Sequence, residues 1–282
     1  MNRLVTPALV SMDSAMRDRI GGYVEATFGI KMPSSKQTLL EGRLTRRLRA
    51  LSFSGFDEYW EYLHSEAGIK NEMIFFTDLV STHKTDFFRE PAHFQFLSER
   101  YLPSWTSANP GATLEAWSCG CSSGEEPYTI SLVLKHFFSS IGSTSDYRVL
   151  GTDISEPVLA RGLRAVYTEN TAASIPSVYH RYLRRGTKEK EGLVRIGPEA
   201  RASVRFRVLN LVEKDYGISE KFDFIFFRNV MIYFEKDLQI AILKRLKDRL
   251  KSGGLLFVGH SESVFGWDHG MKSVIPTVYQ KG

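Results

Sequence analysis

Through the first hundred residues the apolar positions recur every three to four residues, and no stretch reads convincingly as a strand. The spacing predicts a helix over residues 11–28, stopped near Gly29. A second helix is expected from Ser34 or Ser35, both good N-caps, to Leu51. Leu39, Leu40, Leu44, Leu48 and Leu51 share one of its faces. Arg43, Arg46 and Arg47 lie in an arc centred away from that face, with Arg49 beyond them. Such a row is either a solvated face or a docking surface for an acidic partner. FDEYWEYLHS, residues 56–65, reads as a third helix.

From residue 113 the pattern changes to short apolar runs alternating with helical stretches. Strands are expected at 114–119, 147–153, 204–210, 222–227 and 255–260. Helices are expected at 125–138, at 156–165 and at 237–251, the last ended by Gly253–Gly254. Strand–helix alternation with apolar strands predicts a parallel sheet covered on both faces. Such a sheet binds ligands beyond the carboxyl ends of its strands, here Cys119, Asp153, Asn210, Arg228–Asn229 and His260. Residues 179–209 break the alternation. Their two short runs, LVRI and VRFRV, are expected to pair as a hairpin in a small inserted β subdomain.

Composition adds limits. At 282 residues, 43% hydrophobic and 24% charged, the chain is globular, with room for one large domain and a smaller one. It has no apolar run long enough to span a bilayer and no signal-peptide core at its start, so a cytoplasmic location is expected. Cys119 and Cys121 stand too close for an ordinary disulfide and are too few for a structural zinc site; no metal is expected. They read as small buried residues. The net charge of +5 permits a nucleic acid, an acidic protein or no special partner.

The loop SCGCSSGEEPY, residues 118–128, has neither the G-x-G-x-x-G of a dinucleotide site nor the Lys of a P-loop. Glu125 and Glu126 directly after it would repel a pyrophosphate and suit a cationic or hydroxyl-rich ligand. Asp153 at the next strand end can accept hydrogen bonds from both ribose hydroxyls, or it can cap the following helix, as Ser155 also can. Together these point to a nucleoside without a pyrophosphate, and S-adenosylmethionine fits. Arg228–Asn229–Val230–Met231 lacks both prolines of the [ND]-P-P-[YF] signature of enzymes that methylate exocyclic nitrogens. No motif positions a general base. A carboxylate acceptor needs none, because it is already ionised at neutral pH. His260, Ser261 and Glu262 invite a hydrolase triad, but three adjacent residues cannot all converge.

Seven segments together resemble one family. They are GRLTRRLRAL (42–51), THKTDFFREPAHF (82–94), SSGEEPYTISL (122–132), GTDIS (151–155), RGTKEKEGLVRI (185–196), FDFIFFRNVMIYF (222–234) and GGLLFVGHSES (253–263). In order and spacing they resemble the chemotaxis receptor glutamate O-methyltransferases, the CheR family, over roughly residues 15–282. The resemblance implies an α/β, Rossmann-like S-adenosylmethionine-dependent methyltransferase domain over 91–282, preceded by an all-α domain and linker over 1–90. A small antiparallel β subdomain is inserted near 179–209. The implied activity is methylation of glutamates on the cytoplasmic helices of chemoreceptors, giving methyl esters and S-adenosylhomocysteine.

Carried over motif by motif, Thr85 and Arg89 reach the cofactor, with Arg89 near the methyl-transfer centre. Glu126 binds the methionine amino group and Asp153 the ribose. Asn210 with Leu211, and Asn229 with Val230, frame the adenine side. Tyr233 sits beside the transferred methyl, so Arg89 and Tyr233 are the expected catalytic pair. The Arg43, Arg46, Arg47 and Arg49 face meets the receptor's acidic helix. His83 stands where many members have Asn, and an imidazole replaces only one of the amide's hydrogen bonds at a time. In some members the β subdomain also tethers the receptor's C-terminal tail. The turn here has the length of tethering members but lacks a second glycine after Gly186–Thr187. A monomer that neither binds nucleic acid nor inserts into membranes is expected. The alternatives are a methyltransferase acting on RNA or a small molecule, and a non-catalytic nucleoside-sensing docking module.

Overall fold

Among the described residues of the first hundred, the regular elements are helices, as the spacing predicts. A computed structural model describes residues 11–262, 264 and 270–282. The start of the chain and the last residue of the 253–263 motif lie outside the described residues. Among the described residues no helix is long and apolar enough to cross a membrane.

The chain divides into two units, 1–82 with Tyr233–Glu235, and the remainder. In the first, α1 (Ser14–Phe28) begins where the Asp13 carboxylate accepts the Met16 amide and ends at Gly29, left-handed at φ 72°. Helix α2 (Ser34–Leu51) follows Pro33, which takes the N-cap position that the sequence assigned to a serine. Leu40, Leu44 and Leu48 are buried, but Leu39 is 57% exposed and lies off the buried stripe. After α3 (Phe56–His64) come two helices the sequence pattern did not reveal, α4 (Glu66–Asn71) and α5 (Met73–Val80).

The second unit continues with α6 (Pro91–Phe96) and α7 (Leu102–Ala108). Then come β1 (Thr113–Cys119), α8 (Glu125–Ser140), β2 (Asp146–Asp153) and α9 (Glu156–Arg164). The chain proceeds through β3 (Val166–Thr168), α10 (Glu169–Ala172), β4 (Leu183–Arg185), β5 (Leu193–Ile196), α11 (Pro198–Arg201) and β6 (Val204–Val208). It closes with β7 (Phe222–Phe227), α12 (Lys236–Arg249), β8 (Leu250–Val258), β9 (Met271–Ile275) and β10 (Val278–Lys281). The main sheet runs β6-β2-β1-β7-β8-β10-β9, parallel through β8 and antiparallel in its last two strands. All six residues of β7 are buried, as a strand covered on both faces requires. The chain leaves β1 to opposite sides, β2 on one and β7 on the other, which opens a crevice at their carboxyl ends.

Three expectations are corrected. First, LVRI and VRFRV do not form a hairpin. Strand β5 pairs antiparallel with β3 and β4, whereas β6 pairs parallel with β2. The cause is a notch of glycines: a Cβ on Gly124, Gly151 or Gly162 would approach the Phe206 ring to about 3 Å, so that ring docks β6 against the main sheet. The inserted sheet therefore draws on residues 166–196 rather than 179–209. Second, Gly253–Gly254 do not end the last helix. They lie within β8, where the register with β7 shifts, and a Cβ on Gly254 would meet the Lys251 carbonyl at 2.9 Å. Third, the sheet is mixed, because the terminal β9–β10 ribbon extends it.

Candidate functional site

The crevice floor is built by the loop after β1. The amides of Gly120 and Cys121 both donate to the Thr152 carbonyl, at 2.7 and 2.8 Å, pinning the loop to β2. Gly120 is left-handed at φ 77°, and a Cβ there would lie 2.5 Å from the Val230 side chain; only glycine meets both conditions. Gly124, at φ 94°, starts α8. Cys119 and Cys121 are buried and unpaired, and burial pushes both thiols up, so they stay protonated as small core residues.

The two adjacent glutamates part company. Glu125 is buried, accepts the Ser123 hydroxyl, and is raised above the ordinary carboxylate range by burial. Glu126 accepts from the Ser118 hydroxyl at 2.7 Å and from Arg228 Nε at 2.8 Å. Each of its oxygens keeps a lone pair for a further donor. Asp153 accepts the Ser155 amide on Oδ1 (3.0 Å) and the Ser122 amide on Oδ2 (2.8 Å). It does not cap α9; the Ser155 hydroxyl does, accepting from Val158. Burial raises the Asp153 carboxyl above its usual value, opposed by those amides and by the nearby His83 imidazole. The His83 carbonyl accepts the Ser122 hydroxyl, so the histidine's segment is held to this loop.

The other expected residues fall as follows. Thr85 and Arg89 are half-buried on the same segment, with the Arg89 guanidinium donating to the Lys84 carbonyl at 3.2 Å. Asn210 accepts the Val212 amide, and Leu211 is buried beside it. Asn229, left-handed at φ 60°, donates through its side chain to Glu90 and through its backbone to Glu262. Tyr233 groups with the first unit, where the Lys36 ammonium stands 4.6 Å from its ring centre. On α2, Arg46 and Arg49 are exposed. Arg43 instead donates to the carbonyls of Leu79 and Ser81, and Arg47 forms a two-pronged pair with buried Glu72 at 2.8 and 2.6 Å. Half of the expected docking row is thus engaged within its own unit.

Sequence reasoning missed the hub. Arg228, only 5% exposed, joins Glu126, the Arg89 carbonyl (2.8 Å), His93 Nδ1 (3.0 Å) and Glu90 (3.5 Å). Because a guanidinium only donates, Nδ1 of His93 accepts, and its Nε2–H donates to Thr277 at 2.8 Å. Burial, then Arg228, lowers this imidazole to about 3, so it is neutral. Glu90, His93 and His260 bring one ligand atom each within 4.8 Å of one another, but the guanidinium already supplies the cation there. Glu262 accepts the amides of Gly259, Asn229 and Ile232; it anchors backbone and forms no triad. The available signal was an arginine directly after the apolar run Phe224–Phe227 of β7, where a buried guanidinium requires a carboxylate partner.

Glu126 in the first turn of α8 and Asp153 at the end of β2 are carboxylates that can accept from an ammonium and from a ribose diol. Residues 83–279 match the family described as CheR methyltransferase, SAM binding domain, and residues 18–81 its all-alpha domain. A chemotaxis protein methyltransferase of Borreliella burgdorferi is 34% identical, with 93% of each chain covered. Chemotaxis protein methyltransferase 2 of Pseudomonas aeruginosa is 37% identical over 89% of this chain and 87% of its own. The Escherichia coli chemotaxis protein methyltransferase is 35% identical over 92% and 87%. With these matches spanning both units, the chain belongs to the CheR methyltransferase family, and it is an S-adenosylmethionine-dependent methyltransferase with an N-terminal all-α domain and a small antiparallel β subdomain.

Proposed function

We propose that the chain methylates glutamate side chains on the cytoplasmic helices of chemoreceptors, in the cytoplasm, as a monomer and without a metal. The observation that carries this reading is the match of both units to chemotaxis protein methyltransferases at 34–37% identity over most of the chain. The Arg228 cluster adds no proton acceptor of its own in His93, whose two nitrogens are engaged. A carboxylate acceptor has no proton to lose. When bound, S-adenosylmethionine supplies an electrophilic methyl: a carboxylate oxygen takes the carbon, sulfur keeps the bonding pair, and a methyl ester and S-adenosylhomocysteine result. Catalysis then consists mainly of alignment and desolvation.

In this reading Glu126 receives the amino group, its orientation set by Ser118 and Arg228. Asp153 receives the ribose hydroxyls, with His83 and Thr85 alongside. Asn210–Leu211 and Asn229–Val230 flank the adenine. Arg89 holds the acceptor carboxylate by charge-assisted hydrogen bonds. Exposed Arg46 and Arg49 meet the acidic receptor helix, with Arg43 and Arg47 shaping the helix that carries them. A cavity of about 300 Å³ on the β subdomain, lined by Ala172, His180, Leu183, Arg185 and Val194 among others, supports a receptor-tail contact.

The test is transfer of tritiated methyl from S-adenosylmethionine to a receptor cytoplasmic fragment. Label released by alkali as methanol, and absent when the receptor's glutamates are replaced by alanine, supports the reading. Alkali-stable label, or label on RNA instead, counts against it. Arg89→Ala should lower kcat by about a hundredfold with cofactor affinity within a few-fold. Weaker binding with unchanged kcat would remove Arg89 from the reaction centre.

A further inference from the structure

The segment that carries Arg89 is strained on both sides of it. Phe88 and Glu90 are left-handed, at φ 54° and 56°, a conformation that side chains other than glycine, and to a lesser degree Asn or Asp, resist. Such a turn persists only where its surroundings hold it. Three sets of contacts do so. The Phe88 amide donates to Thr129 at 3.2 Å, and its ring stacks on Tyr179 at 5.0 Å. The Arg89 carbonyl accepts from Arg228. The Glu90 carboxylate reaches furthest, accepting the Asn229 side-chain amide at 3.1 Å and the His260 backbone amide at 3.2 Å, with Arg228 3.5 Å away. Asn229 follows β7 and His260 follows β8, so one side chain ties the turn to two strand ends. Burial opposes its ionisation, yet Asn229, Arg228 and His260 together hold it below the ordinary carboxylate range.

We propose that Glu90 is a positioning residue for methyl transfer: its carboxylate clamps the left-handed turn that presents Arg89 to the strand ends that carry Asn229 and His260. This rests on the reading of Arg89 and Asn229 given above. A merely conformational role makes a different prediction from a clamp. Glycine accepts the left-handed backbone without cost but has no carboxylate. If position 90 mattered only for its backbone, Glu90→Gly would keep full activity.

The experiment compares the full-length wild type, Glu90→Gly, Glu90→Gln and Arg89→Ala. It reads kcat and KM on a receptor cytoplasmic fragment, S-adenosylhomocysteine affinity by calorimetry, and thermal unfolding. For Glu90→Gly the expected result is a kcat at least about tenfold lower, cofactor affinity weakened only a few-fold, and an unfolding temperature close to wild type. Glu90→Gln, which keeps the shape and one acceptor oxygen, should recover part of the lost kcat. A Glu90→Gly kcat within about twofold of wild type, alongside an impaired Arg89→Ala, overturns the clamp alone. A wild type inactive on the fragment, or an Arg89→Ala enzyme of full activity, overturns the underlying reading and the clamp with it.

Discussion

At the scale of single residues, the site depends on how each carboxylate is held. Asp153 is held by two backbone amides and raised by burial, so its proton leaves at a higher pH than the 3.8 of an ordinary aspartate. In the ligand-free fold this residue's stabilising contribution is present at low pH and is lost as pH rises through the raised value. In the proposed reading, two ribose hydroxyls donating to this carboxylate favour the opposite, ionised state. In that reading, the shift in unfolding temperature caused by a fixed excess of S-adenosylhomocysteine should therefore grow as pH rises through the raised Asp153 value. Asp153→Asn should flatten that dependence and weaken binding by about tenfold or more. A ligand-induced shift that is independent of pH would place the diol elsewhere. Asp153 and Glu126 were legible in the sequence because one closes a predicted strand and the other opens the helix after a glycine-containing loop. Glu90 and His93 were not, because their work depends on Arg228, more than a hundred residues away in sequence, which only the folded sheet brings to them.

At the scale of elements, α2 shows that a helical arc is not a surface. The four arginines share a side of the helix in projection, but α5 and the turn after it cover part of that side. Arg47 lies against Glu72, whose side chain is only 2% exposed and also accepts the Tyr59 hydroxyl at 2.9 Å. Removing the guanidinium leaves a buried carboxylate without its counter-charge. Arg47→Ala should therefore cost about 3 kcal/mol of stability. Arg46→Ala should cost under about 0.5 kcal/mol yet raise KM for a receptor fragment. Chemical denaturation with parallel kinetics separates the two, and equal stability losses would refute the partition. The sequence could not reveal it because α4 and α5 were themselves unread: residues 66–80 hold the carboxylate that captures Arg47. The strands fared better, since a run such as FDFIFF has one physical outcome, burial on both faces. The error at β6 came from treating two neighbouring apolar runs as partners, when three glycines distant in sequence had prepared a seat for Phe206.

At the scale of the whole molecule, two kinds of electrostatic contact should respond differently to salt. The chain carries a net charge of +5, and Arg46 and Arg49 stand in solvent. Attraction between such groups and an acidic helix acts across water and is screened within about 10 Å at 0.1 M salt and about 3 Å at 1 M. The contacts offered by Glu126 and Asp153 act at hydrogen-bond range in a site where both carboxylates are already fixed by protein donors. Screening by mobile ions reaches such short, partly buried contacts far less. Raising salt from about 50 mM to about 500 mM should therefore raise KM for a receptor fragment about tenfold or more, mainly through slower association. Over the same range the calorimetric affinity for S-adenosylhomocysteine should change by less than about twofold. Arg46→Ala, which removes an exposed charge, should reduce the slope of KM against salt. If cofactor affinity fell in step with KM, the ammonium would be held by long-range attraction rather than by a preset carboxylate, and Glu126 would lose its assigned role.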